Sequence, residues 1–405
     1  MCRTVATIRQ TSWAAGLLLV ISPLGALPGC GSNAGSGPNK ADGAAGGSGG
    51  AQGSGGASGS GGTTGADTNG TGGAGGSSTD VSNPDRPASL DGATDGGDAG
   101  SDAATLTLPI ARGDLDVLEF GSLTFKVKPT LGARITSFQL GGDELLTDAT
   151  ENAQYFGSTL WTSPADDWVG MMFAPPPIVD NLPYTTTVGA DGVITSTNTA
   201  YTTLKNNKKF TITKVFHADL AKQSVVIDYK ITNVGTTPYQ LSHWEVTRVF
   251  PGGLTFFTTG TKSQVDFSNA GEPQVMQLKQ AQGYTWYDNT THMAGKGSSK
   301  SGSESTGGFI AHVAPHPGGD LLFVKAFKPI VPPATAPTGH YDIELFCNDP
   351  PTYIELEDHS SYDVIMPGAT YTATVRWYLR RLPVGTDRSV GSPALIAAVK
   401  SLLGQ

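Results

Sequence analysis

The segment "PYQLSHWEVTRVFPGG", Pro238 to Gly253, carries a histidine and a carboxylate two residues apart. On a β-strand, side chains alternate between faces, so His243, Glu245 and Thr247 share one face and Trp244, Val246 and Phe250 the other, with Arg248 interrupting the second set. A second segment, "YIELEDH", places Glu355 and Glu357 on one strand face. A histidine and a glutamate brought together from distant strands have the chemistry for proton transfer at neutral pH. The same groups bind hydroxyls without turning anything over. Arg134 in "GARI" is suited to a ligand carboxylate or hydroxyl, or to a salt bridge with a neighbouring strand. Trp161 and Trp168 bracket "WTSPADDW", read as a loop; aromatic side chains at a sandwich rim stack on the apolar face of a ring. Asp166 and Asp167 lie between them, but no spaced acidic ladder of a calcium loop accompanies them. His292, His312, His316 and His340 show no paired ligand spacing, so no metal is expected. No glycine-rich loop opens a helix, and no cofactor is expected.

The elements that position these residues begin after a long preamble. The chain has 405 residues and 54 glycines, most of the glycine surplus lying before residue 105. Residues 31–105 hold almost no large apolar side chains, so burial cannot offset the cost of ordering them; they read as a disordered Gly/Ser-rich tether. Its reach as a random coil is roughly 45 Å. Ahead of it, residues 1–30 give a positive start (Arg3, Arg9), an apolar stretch too short to span a bilayer comfortably, and Leu27-Pro28-Gly29-Cys30. This ending resembles the lipobox of bacterial lipoproteins, which implies a lipidated Cys30, a membrane anchor, and a place in the cell envelope, at the outer membrane. The only cysteine beyond Cys30 is Cys347, so the exported part has no internal disulfide, and Cys347 reads as a packing residue. The net charge is −9 with no basic patch, which excludes nucleic acid as a partner.

Residues 106–405 read as one all-β domain. "TTTVGADGVITSTN" is a hairpin, and "KNNKK" marks another turn. In "QSVVIDYKITNVG", Val225, Ile227, Tyr229 and Ile231 alternate with Val226, Asp228, Lys230 and Thr232. In "ATYTATVRWYLRRL", Tyr371, Ala373, Val375, Trp377 and Leu379 form one face. Segment 288–307 is polar and reads as a long loop. One helix is expected, "SPALIAAVKSLLGQ", capped by Ser392 with Pro393 at its first position and packed on a sheet. Many strands and little helix predict a large, twisted antiparallel sandwich.

Four stretches, "LGARITSFQLGGDELL", "GSTLWTSPADDW" with "APPPIVDNLPY", "ITNVGTTPYQLSHWEVTRVFPGG" and "YIELEDHSSYDVIMPGATYTATVRWYL", together resemble the galactose mutarotase-like (aldose epimerase-like) superfamily, in a branch of uncharacterised bacterial proteins. The resemblance spans most of 106–385. It implies a β-supersandwich with a concave, carbohydrate-binding face. In active epimerases one histidine and one glutamate exchange protons with the anomeric hydroxyl and the ring oxygen. The resemblance places the histidine at His243 and the glutamate at Glu355 or Glu357. The Phe-Asn that follows the family histidine and the family's Asn-Arg stretch are absent. Two readings follow. One is a monomeric, membrane-tethered carbohydrate-binding protein using Arg134, Trp161, Trp168 and Glu245. The other is an aldose 1-epimerase-like isomerase using His243 with Glu355 or Glu357.

Overall fold

A computed structural model describes residues 106–168, 175–261, 265–266, 276–292, 295 and 297–405. The leader, Cys30 and the tether lie outside the described residues. Two antiparallel sheets carry the fold. The first has twelve strands in the order Leu106–Arg112, Leu115–Phe120, Leu123–Lys128, Arg134–Leu140, Ser158–Ser163, Tyr239–Val249, Ile354–His359, Ile343–Cys347, Ser299–Ser303 and Val265–Asp266, with Asp143–Glu144 and Asp363–Ile365 pairing off this path. The second has eleven. Its centre runs Phe309–Ala314, Leu321–Phe327, Thr370–Arg381, Ser224–Asn233 and Lys209–Asp219. The expected all-β antiparallel sandwich with a short C-terminal helix is the observed fold.

Alternation explains how the sheets meet. Tyr229, Val375, Trp377 and Phe323 leave the second sheet on one side and join Phe125, Phe138, Leu160 and Leu356 of the first in one core. Trp377 is its hub, edge-on to Phe125 at 5.9 Å and to Phe323 at 5.1 Å. Side chains of opposite parity, such as Leu322, Val324 and Tyr378, leave the far side of the second sheet. There they pack against Leu395 and Val399 of the helix Pro393–Leu403. Ser392 caps this helix, its Oγ accepting from Leu395 N–H at 3.4 Å, and Gly404 closes it in the left-handed region. The second sheet is therefore covered on its far face where the helix packs, and one group of polar side chains gathers on the far face of the first.

Two local expectations are corrected. Segment 288–307 is not simply a loop: its Ser299–Ser303 stretch forms a strand paired with Ile343–Cys347. Trp161 is not in a loop but in the strand Ser158–Ser163, hydrogen-bonded along Tyr239–Val249. In both cases ladder pairing with a partner far away in sequence overrides weak local preference. Both hairpins expected from turn residues are present, Thr185–Val188 with Ile194–Thr197 and Tyr201–Thr202 with Lys209–Asp219.

Candidate functional site

Strand Tyr239–Val249 lies between Ser158–Ser163 and Ile354–His359, and directly opposed residues share a face. Trp244 lies opposite Trp161 and His359, Val246 opposite Glu357, and Arg248 opposite Glu355; Glu245 lies opposite Asp358. His243 and Glu245 therefore face one way, and Trp244, Arg248, Glu355, Glu357 and His359 the other.

The His243 face points between the sheets, because its partners come from the second sheet. Tyr229 donates its hydroxyl to Glu245 Oε1 at 2.6 Å. Lys325 Nζ lies 2.7 Å from Asp358 Oδ1 and 3.6 Å from Glu245 Oε2. His243 Nε2 lies 2.9 Å from Asp358 Oδ2. All five side chains are buried. Burial pushes the Glu245 carboxyl up to about 7, against the pull of the Lys325 ammonium. Burial also raises Asp358, but Lys325 and His243 outweigh it and hold that carboxyl well below the usual range. His243 and Asp358 border a cavity of about 300 Å³ that Ser360 and Tyr371 also line. The expected opposition of His243 to Glu355 or Glu357 across a sugar ring is thus not what the strands build: a sheet stands between them. Nor does Glu245 sit beside the other expected ligand groups.

On the outward face, Arg248 donates from Nε to Glu355 Oε1 at 2.8 Å, and its Nη2 lies 2.8 Å from the same oxygen. Its guanidinium sits 5.3 Å from the ring centres of Tyr155 and Trp161 and 5.9 Å from that of Tyr353. Glu357 Oε2 accepts from Trp244 Nε1 at 2.5 Å and from Lys300 Nζ at 2.8 Å. Lys300 also meets Glu344 Oε2 at 2.7 Å, and His340 Nδ1 lies 3.0 Å from Glu344 Oε1. Three atoms of this buried group have neither a hydrogen-bond nor an ion-pair partner among the described residues: Arg248 Nη1, Glu357 Oε1 and His359 Nδ1. Burial pushes Glu355 up to about 7; Arg248 opposes that shift and Glu357 adds to it. Burial raises Glu344 too, but His359 and Lys300 hold it well below the usual carboxylate range. Burial alone lowers the Lys300 ammonium; Glu357 and Glu344 reverse this and raise it.

The remaining expected residues have structural partners. Arg134 forms a buried salt bridge to Asp180 at 2.9 Å and also donates to Asn181 and to Gln154 O. Trp161 donates to the same Asp180 at 3.0 Å. Trp161 and Trp168 pack edge to face at 5.8 Å, and both pack on Trp244 at 5.1 and 6.0 Å. Each of the three indoles is only 2% exposed, so Trp161 and Trp168 plug the end of the sheet and offer no open ring face. The side chain of Asp166 lies outside the described residues. Sequence reasoning missed Arg248, Lys300 and Glu344. Arg248 carried a signal, a charge in an otherwise apolar alternation; Lys300 and Glu344 carried none without the register.

No protein-family model matches the chain, and no curated protein matches it. Solved structures do. One is the Slr1438 protein of Synechocystis sp. PCC 6803, at 13% identity over 68% of this chain and 98% of that one, TM-score 0.48. A second is a galactose mutarotase-like protein from Lactobacillus casei ATCC 334, at 11% identity over 66% and 100%, TM-score 0.45. The chain is similar to galactose mutarotase-like proteins. A third such neighbour, from Clostridium acetobutylicum, matches at 8% identity over 69% and 99%, TM-score 0.41. The likeness is one of outline, and at these scores it carries no argument about activity.

Proposed function

We propose that the protein is a carbohydrate-binding β-sandwich lipoprotein of the bacterial cell envelope, anchored through a lipidated Cys30. Its ligand lies on the outward face of the first sheet, around Arg248, Glu355 and Glu357. The supporting observation is the row of buried polar groups there with bonding capacity left over, at Arg248 Nη1, Glu357 Oε1 and His359 Nδ1. A buried donor or acceptor without a partner costs about 1–3 kcal/mol. A sugar hydroxyl both donates and accepts, so one pair of neighbouring hydroxyls answers a guanidinium and a carboxylate together. Half-buried Tyr155 flanks the guanidinium and supplies ring surface for the apolar side of a sugar, with buried Tyr353 packed on the other side. The test is isothermal titration of the exported chain against a panel of mono- and oligosaccharides. At least one sugar is expected to bind, with a loss of about tenfold or more in Glu357→Gln, whose near-UV circular dichroism should match that of wild type. Heat signals absent across the panel, or identical in the variant, would sink the reading.

A second reading is aldose 1-epimerase-like turnover. Glu355 favours it, since a carboxyl raised to about 7 both gives and takes a proton near neutral pH. Glu357, roughly 6–7 Å along the same strand, takes the partner role in place of His243. Polarimetry of freshly dissolved α-glucose and α-galactose checks this: faster mutarotation is expected with wild type and the uncatalysed rate with Glu355→Gln. Equal rates with and without wild-type protein exclude it.

A further inference from the structure

We propose that His340, Glu344 and His359 form a binding site for a divalent transition-metal ion of the zinc class. One donor atom from each lies within 4.8 Å of the other two. His340 Nδ1 is 3.0 Å from Glu344 Oε1, and His359 Nε2 is 3.5 Å from Glu344 Oε2. Donors on a tetrahedral zinc ion, at bond lengths of about 2.0–2.1 Å, stand about 3.3 Å apart. Each histidine meets this spacing to one oxygen of the Glu344 carboxylate, and all three donors lie within 4.8 Å, so a small side-chain adjustment gathers them on one ion. Two imidazoles and one carboxylate are the nitrogen–oxygen set that zinc takes when a fourth position stays open.

The surroundings fit the assignment. His359 is buried, and its Nδ1 has no hydrogen-bond partner. The Trp244 indole stacks on the His359 ring at 5.2 Å and lies 5.5 Å from the His340 ring, which holds both imidazoles in place and excludes water on that side. His340 is partly exposed and borders a cavity of about 730 Å³, with Tyr341 and Asp342, which gives an ion its way in. Lys300 is the competitor: its ammonium sits 2.7 Å from Glu344 Oε2. It also has Glu357 Oε2 at 2.8 Å, so it keeps a counter-charge when an ion takes Glu344. The other grouping of this kind among the described residues, His243, Glu245 and Asp358, has no exposed member, and Lys325 lies against both of its carboxylates.

This site shares His359 with the carbohydrate reading, through the other ring nitrogen, but its test is separate, because zinc binding is measured with no sugar present. Tag-free protein is stripped with EDTA, dialysed, and titrated with ZnCl2 by calorimetry, then with CoCl2 by visible absorption. One zinc ion per chain is expected, with the visible bands of four-coordinate cobalt. His340→Ala changes a partly exposed residue and should leave the fold intact while weakening zinc binding by about tenfold or more; His359→Ala should do the same. His316→Ala should bind like wild type. Lys300→Met removes the competitor and should bind zinc more tightly. Less than one ion per chain in wild type, unchanged affinity in His340→Ala, or weaker binding in Lys300→Met overturns the assignment.

Discussion

Arg248 and Glu355 are the pair on which the outward face turns. Both are buried, and each is the other's counter-charge. Arg248→Met strands a carboxyl in a place of low polarity, and a loss of about 3–5 kcal/mol is expected by urea unfolding. Replacing both, as Arg248→Met with Glu355→Leu, should restore most of that loss; a double-mutant cycle reads the coupling directly. The raised carboxyls set a pH response with a definite sign. Glu245 and Glu355, both near 7 in the folded protein, hold protons that the unfolded chain releases at its ordinary value of about 4.5. The folded state therefore binds more protons over this interval. Their contribution to stability is complete below about 4.5 and fades as pH rises through about 7. Chemical unfolding at several pH values should show this decline, and Glu245→Gln should flatten it. Asp358, held low, acts at the acid end: its contribution is present above its unfolded value and is lost as pH falls well below it. The sequence made His243 and Glu245 legible as neighbours on one face, because alternation is local. It could not reveal which face lay inward, nor that Arg248 meets a carboxylate 107 residues further on.

The strands and turns divide into those whose signals are local and those that borrow structure from a distant partner. The C-terminal helix belongs to the first group: Ser392 and Pro393 mark its start in the sequence and in the fold. Ser392→Ala should lower stability by about 1 kcal/mol, measured as a shift in unfolding midpoint. Ser299–Ser303 belongs to the second. Nothing in "SKSGS" favours a strand, and only the ladder to Ile343–Cys347 makes it one, bringing Lys300 to Glu344 and Glu357. The turn leading into Arg134 mixes both. Gly132 adopts φ +63°, and a Cβ there would meet the backbone oxygen of Asp180 at 2.1 Å. The close approach lets Gly132 N–H donate to Leu182 O and fixes the segment whose Asp180 holds Arg134 and Trp161. Gly132→Ala should therefore cost clearly more than the roughly 1 kcal/mol of an ordinary glycine replacement, visible as a lowered unfolding midpoint.

Taken together, the two sheets were legible as a class, because clean alternation in segments such as Val225–Ile231 and Tyr371–Leu379 can only serve strands with one buried side. The strand order was not, because it pairs segments more than a hundred residues apart, such as Tyr239–Val249 with Ile354–His359. Where the protein resides is a separate proposal, resting on residues 1–30 alone. On the proposed lipid anchor, Cys30→Ser should move the protein from the membrane fraction to the soluble fraction of the host cell without altering the unfolding curve of residues 106–405, checked by fractionation and immunoblotting. One consequence follows from the double-sided load on Tyr239–Val249. A single-codon deletion inside it would turn the strand over beyond the break. Arg248 would then enter the oily middle while His243 and Glu245 were pulled out of it. Neither layer could absorb the exchange, so alleles of that kind should yield aggregate in place of weakened protein.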